Sequence, residues 1–286
     1  MNFNPKLLRD DLWSYDPADW PDCDLFHAGF PCQDFSVMGS NAGIKNASGR
    51  GIIYKQILKH IGAKKPPTVL LENVKGMATR RHRAALNDLC AGLKSFGYAT
   101  RWKVIDAADC GLPQHRERLF IVAIRTDRLR GSSFKWPAKL DRVHLESILD
   151  KKVAGESSAT ISGRKPPACR KACRHNLAIA YAQMQEAGLE PSTTPMVVDV
   201  HASRPKLHYD CCPTLTVTRA STGGFWLSCR GRYTTIAELE RLMGVSGMQR
   251  PATISERQWA MLLGNGVPVP MLVLIMQQLL PFAQRR

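Results

Sequence analysis

Acidic side chains and long apolar runs are both scarce in this sequence of 286 residues. Only 24 Asp and Glu stand against 40 Lys and Arg, which leaves a formal net charge of +16. No run of about 18 apolar residues occurs, so no membrane-spanning segment is expected. The first residues, MNFNPKLLRDDLWSYD, are acidic and lack an apolar stretch, so no signal peptide is expected. Internal repeats and low-complexity tracts are also missing. The nine cysteines are odd in number and scattered, which fits reduced thiols and excludes a disulfide framework. A cytoplasmic protein is the expectation. The apolar fraction of 44% and charged fraction of 22% are enough for a packed core and exclude a disordered tail or a collagen-like fibre. The length suits one large domain, or one with a small satellite.

The charge is unevenly spread. Residues 1–24 carry six Asp against Lys6 and Arg9. Residues 75–103 hold seven Lys and Arg against Asp88 alone, and residues 151–175 hold another seven against Glu156 alone. Clusters such as Arg80-Arg81-His82-Arg83 and Arg170-Lys171 suit a phosphate backbone, although a solvated helix face would read the same way.

Apolar patterning predicts an α/β protein. Asp24–Phe30 reads as a buried strand stopped by Pro31. A glycine-punctuated stretch, 36–51, reads as a mobile loop. Ile53, Ile57 and Ile61 then predict a helix ending at Gly62. Thr68–Val74 is a second strand, and Leu86, Leu89, Leu93 and Phe96 mark a second helix closed by Gly97. Residues 101–105 and 118–124 supply two more strands. Strands alternating with helices predict a mostly parallel sheet. Beyond residue 127 the period fails, and 128–205 reads as a connection into a smaller, irregular domain. Helices return at 234–243, where Thr234 and Thr235 are candidate caps, and again at 256–263 and 271–281. The expected domains are 1–127, 128–232 and 233–286.

Three polar groups fall at expected strand ends, where such a sheet builds its site. They are Pro31-Cys32-Gln33, Glu72-Asn73-Val74 and Gln114-His115-Arg116-Glu117-Arg118. Each alone has an ordinary structural reading: a packed thiol, a solvated carboxylate, a surface arginine pair.

Together they carry a resemblance. Gly-Phe-Pro-Cys-Gln-Asp-Phe-Ser (29–36), Glu-Asn-Val (72–74), Gln-His-Arg-Glu-Arg-Leu (114–119) and Gly-Asn-Gly-Val-Pro-Val-Pro (264–270) resemble, in order, the signature blocks of the cytosine-5 DNA methyltransferases. Arg204, Pro213-Thr-Leu-Thr216 and Glu238–Gly244 resemble that family's late block. The resemblance implies a Rossmann-like, S-adenosylmethionine-dependent methyltransferase sheet with a small irregular target-recognition domain. It implies methyl transfer to carbon-5 of a cytosine flipped out of double-stranded DNA, in a bacterial or phage restriction-modification system. Cys32 is then the nucleophile adding to carbon-6. Glu72 contacts the N3 and amine edge, Arg118 holds the carbonyl O2 and orients Glu72, and Arg116 meets phosphate or substrate. Asn73 and Gln114 orient these groups. Asp11, Leu12, Pro31 and Asn265 are implied to hold S-adenosylmethionine. Gln33, Ser36, Thr214 and Thr216 are implied to touch DNA, and the basic cluster adds Arg80 and Arg81 as candidate DNA contacts. The stretch 36–51 suits a lid over the flipped base. No metal is implied. Cys169, Cys173, His175, Cys211 and Cys212 fit no familiar zinc spacing.

One departure stands out. The family's Phe-x-Gly-x-Gly block and the acidic ribose block do not occur. This predicts an N-terminally truncated cofactor half-pocket, and three readings stay open. The chain is one part of a split enzyme completed by a second polypeptide, a fragment of a longer gene, or an inactive DNA-binding remnant. RNA methylation is disfavoured because the Cys-Phe-Thr signature of the tRNA-acting branch is missing.

Overall fold

The computed structural model describes residues 16–30, 53–152, 155–167 and 170–283. They fall into two compact units. The first takes the described residues of 16–106, 117–138 and 274–283, and the second takes 107–116 and 139–273. These limits differ from the expected domains. Residues 107–116 leave the first domain, and most of the C-terminal helices group with the central region.

In the first unit the expected strands and helices form where the apolar pattern puts them. They are β1 (Leu25–Gly29), α1 (Ile53–Lys64), β2 (Thr68–Val74), α2 (Arg83–Ser95), β3 (Tyr98–Asp106) and β4 (Glu117–Arg125), followed by the short α3 (Thr126–Leu129). Leu86, Leu89 and Leu93 of α2 and Ile57 and Ile61 of α1 pack on Val69, Leu71, Leu119 and Ile121 of the sheet, all buried. Each such side chain contributes roughly 1.5–3 kcal/mol. Helix α1 does not stop at Gly62. That glycine is a packing position: a Cβ there would lie 2.9 Å from the Phe96 ring, and one at Gly92 would lie 2.7 Å from Leu58. The two helices approach closely because both positions lack a side chain, and α1 runs on until Pro66 and Pro67 end it.

The sheet order is β1-β2-β4-β3. Only β1 and β2 pair in parallel, while β4 runs antiparallel to both β2 and β3. β1, β2 and β3 therefore share one direction, as the mostly parallel expectation has it, and β4 alone among the strands of this sheet is reversed. The cause is the β3–β4 connection. Residues 107–116 are too few for the crossover of a dozen or more residues that a parallel return requires, so the chain turns straight back.

The second unit holds α4 (Ser158–Gly163), α5 (Lys171–Glu186), β5 (Met196–Asp199), β6 (Lys206–Tyr209), α6 (Val217–Ser221), β7 (Trp226–Leu227), β8 (Arg232–Tyr233), α7 (Ile236–Met243) and α8 (Glu256–Asn265). Helix α9 (Val269–Ala283) starts here and ends in the first unit. The strands form an antiparallel sheet of order β6-β5-β7-β8. The region expected to be irregular thus contains a regular sheet and a 16-residue helix. Of the two candidate caps, Thr235 starts α7. Its hydroxyl accepts from the Glu238 amide at 3.2 Å, and Glu238 accepts from the Thr235 amide at 2.8 Å. Among the described residues no single helix is long and apolar enough to cross a membrane.

Candidate active site

In the first unit, parallel pairing brings the ends of β1 and β2 together, with Gly29 opposite Glu72. Because β4 runs the other way, its beginning reaches the same end of the sheet, where Arg118 stands opposite Val74 and Phe120 opposite Glu72. Glu72 and Arg118 are therefore diagonal neighbours on one face, within reach for long side chains. Arg118 Nε lies 3.1 Å from Glu72 Oε1, and the two side chains are only 13% and 10% exposed. Arg118 Nη1 also donates to the Glu117 carbonyl at 2.9 Å, which fixes the plane of the guanidinium. Lys75 and Glu117 form an exposed ion pair beside them.

Two neighbours shape this site. A Cβ on Gly29 would lie 3.2 Å from Glu72 Oε2, so the glycine leaves room for the carboxylate. Asn73 is fully buried. Its Nδ2 donates to the Phe30 carbonyl at 3.3 Å, and its Oδ1 accepts from the Val74 amide at 2.9 Å. It thereby ties the end of β2 to the residue preceding Pro31-Cys32. The orienting role expected of Asn73 has this physical form. The spacing role of Gly29 was not read from the sequence, although its place in Gly-Phe-Pro-Cys was the available signal.

Cys32, Pro31, Gln33, Ser36, Asp11 and Leu12 lie outside the described residues, as does the whole stretch 36–51. Burial pushes the thiols of Cys90, Cys212 and Cys229 up, so these three are poor sources of thiolate. Arg80 and Arg81 stand exposed in the turn between β2 and α2.

The second unit gathers three of the sequence blocks around Arg116. Gln114 bridges to Cys212, and the His115 amide donates to the Cys212 carbonyl at 2.8 Å. Gln114 accepts from the Leu215 amide and donates to the Leu242 carbonyl, each at 3.2 Å. Arg116 is 1% exposed. It donates to the carbonyls of Leu215 at 2.5 Å, Gly264 at 3.0 Å and Gly266 at 2.5 Å. This corrects the expectation that Arg116 meets phosphate or substrate. Its donors hold segments 212–216 and 264–266 together from inside the unit. A Cβ on Gly264 would lie 2.7 Å from the Thr216 carbonyl, so that approach also depends on the missing side chain. Replacing three charge-assisted bonds by none leaves buried carbonyls unpaired. Arg116→Met is expected to cost about 3–5 kcal/mol. A thermal midpoint lowered by roughly 10 °C checks this, whereas an unchanged midpoint contradicts it.

The Thr214 hydroxyl donates to the His115 carbonyl at 2.8 Å, and the Thr216 hydroxyl caps α6 by accepting from the Arg219 amide at 3.3 Å. Both expected DNA contacts therefore have local structural work. Asn265 is exposed on the last turn of α8. Among the described residues no group of three or more His, Cys, Asp or Glu is placed to hold a metal ion.

Comparison with known proteins decides the family. The C-5 cytosine-specific DNA methylase profile matches residues 1–280. The chain belongs to the C-5 cytosine-specific DNA methylase family.

Relatives of this family member include the type II methyltransferase M.BsuFI of Bacillus subtilis, 32% identical over 268 residues, covering 92% of this chain and 59% of the relative. M.NgoFVII of Neisseria gonorrhoeae is 36% identical over 138 residues, covering 48% of this chain and 36% of the relative. The methylase chain thus matches between 30% and 59% of the length of these curated relatives. Its fold is similar to that of the Entamoeba histolytica methyltransferase EhMeth, with a TM-score of 0.58 at 15% identity over 92% of this chain and 78% of the other.

Proposed function

We propose that this chain transfers a methyl group from S-adenosylmethionine to carbon-5 of a flipped-out cytosine in duplex DNA, as part of a restriction-modification system. The observation that carries the reading is the nearly buried Glu72–Arg118 pair beside the Asn73–Phe30 tie. It sets a carboxylate and a fork of donors next to the chain segment leading into Cys32.

Each residue has a role in the proposed reaction. Carbon-5 of cytosine is a weak nucleophile. Addition of the Cys32 thiolate to carbon-6 forms a C–S bond and pushes the ring electrons toward N3 and carbon-5. Glu72 faces the N3 edge and supplies a proton there as negative charge builds. Arg118, held by Glu72 and the Glu117 carbonyl, presents its remaining N–H groups to the carbonyl O2. After carbon-5 is methylated, loss of its proton to a base expels Cys32 and restores the ring.

S-adenosylmethionine, when bound, supplies the electrophilic methyl group. Asp11 would offer it a carboxylate for an amine edge, Leu12 and Pro31 apolar contact for an adenine face, and Asn265 an amide. Of these only Asn265 is among the described residues, and its exposed amide is open to a polar ligand.

The test is incubation of the purified chain with labelled S-adenosylmethionine and unmethylated duplex DNA, followed by nucleoside analysis of the DNA. 5-Methyldeoxycytidine is expected. DNA binding without product, with and without added relatives' N-terminal segments, supports the inactive-remnant reading instead.

A further inference from the structure

The turn between β2 and α2 and the outer edge of β3 carry charge that the catalytic reading does not use. Arg80 and Arg81 are exposed in the turn, and Arg83 opens α2. The Arg83 guanidinium lies over the Trp102 ring, 4.7 Å from its centroid. Trp102 is 37% exposed on β3, the edge strand of the first sheet. The only carboxylate in residues 75–103, Asp88, accepts the Tyr54 hydroxyl at 2.8 Å on the side of α1. Burial first, and the Arg81 charge second, lower the pKa of His82, so it adds no positive charge near neutral pH. The Trp102 ring holds the Arg83 guanidinium by a cation–π contact, and the fixed fork of donors on a guanidinium suits a phosphate.

We propose that Arg80, Arg81 and Arg83, with Trp102 as the platform for Arg83, form a phosphate-binding surface that grips duplex DNA flanking the target cytosine. The inference rests on the DNA-methylation reading. It extends that reading beyond the pocket to residues that no signature block contains. The chain leads from Glu72 at the end of β2 through one short 3-10 turn (Lys75–Ala78) to Arg80. The alternative occupant, an acidic protein surface, lacks the regular spacing of charge that repeated arginines match; it is treated as an outcome of the test.

The experiment measures binding of the full chain to long, mixed-sequence duplex DNA across a salt series. Each phosphate contact contributes about 0.9 to the slope of log affinity against log salt. The triple variant Arg80→Gln/Arg81→Gln/Arg83→Gln is expected to lower that slope by about 2 to 3. Trp102→Ala, which keeps every charge, is expected to weaken binding by a smaller factor. Matched far-ultraviolet spectra and thermal midpoints show that the variants are folded. If the wild-type chain binds and the triple variant keeps its slope, the surface is wrong while the DNA reading stands. If the wild-type chain binds no duplex, both fall. Displacement of DNA from wild type by polyglutamate at equal charge concentration, lost in the triple variant, would show a general polyanion surface and overturn the assignment to DNA.

Discussion

Cys32→Ala is expected to lower methyl transfer to DNA by on the order of 10⁶-fold, the scale that follows loss of a covalent nucleophile. The reason is electronic. Without a bond to carbon-6, carbon-5 stays part of an aromatic ring and has no electron pair to offer a methyl group. The loss should fall on the chemical step, with DNA affinity unchanged or nearly so. A second readout separates chemistry from folding. DNA carrying 5-fluorocytosine should trap the wild-type chain as an adduct stable to denaturation, because fluorine replaces the proton whose loss frees the thiol. Cys32→Ala should give no adduct. Retention of transfer to within an order of magnitude of wild type would remove Cys32 from the mechanism.

Glu72→Gln is the second large effect, an expected fall in kcat of about 10²–10⁴-fold. Glutamine keeps the shape of the side chain and still offers an oxygen to Arg118 Nε, now 3.1 Å from Glu72 Oε1. It lacks an acidic proton for N3. Stability should therefore drop by about 1 kcal/mol or less for Glu72→Gln, against about 3 kcal/mol for Glu72→Ala, which leaves a nearly buried guanidinium without its carboxylate. Thermal melts of the two variants, set beside their rates, separate the proton-donating role from the structural one. Equal rates for Glu72→Gln and wild type would rule out proton donation by this residue.

Much of this was legible in the residues. The strands at 25–29, 68–74 and 117–125 follow from unbroken apolar runs, and Glu72 and Arg118 follow from the polar residues at their ends. Strand direction was not legible, since an apolar run reads the same whichever way its neighbour points. Helix α5 was missed because its buried face, Cys173, Leu177, Ala180 and Met184, has helical spacing but only two strongly apolar members. Arg116 and Arg118 look equivalent in Gln-His-Arg-Glu-Arg. Their separate fates depend on partners far along the chain: the carbonyls of Leu215, Gly264 and Gly266 for one, and Glu72 for the other.

The antiparallel seam between β2 and β4 also sets how the pocket wall moves. The carboxylate and its arginine hang from the two central strands, flanked by β1 and β3 and joined by a ladder from Thr68↔Ile124 to Val74↔Arg118. The amides of 69–72 and 119–123 should then exchange with solvent only when the whole unit unfolds. In the proposed reaction, the wall that faces the base should then be as rigid as the core itself.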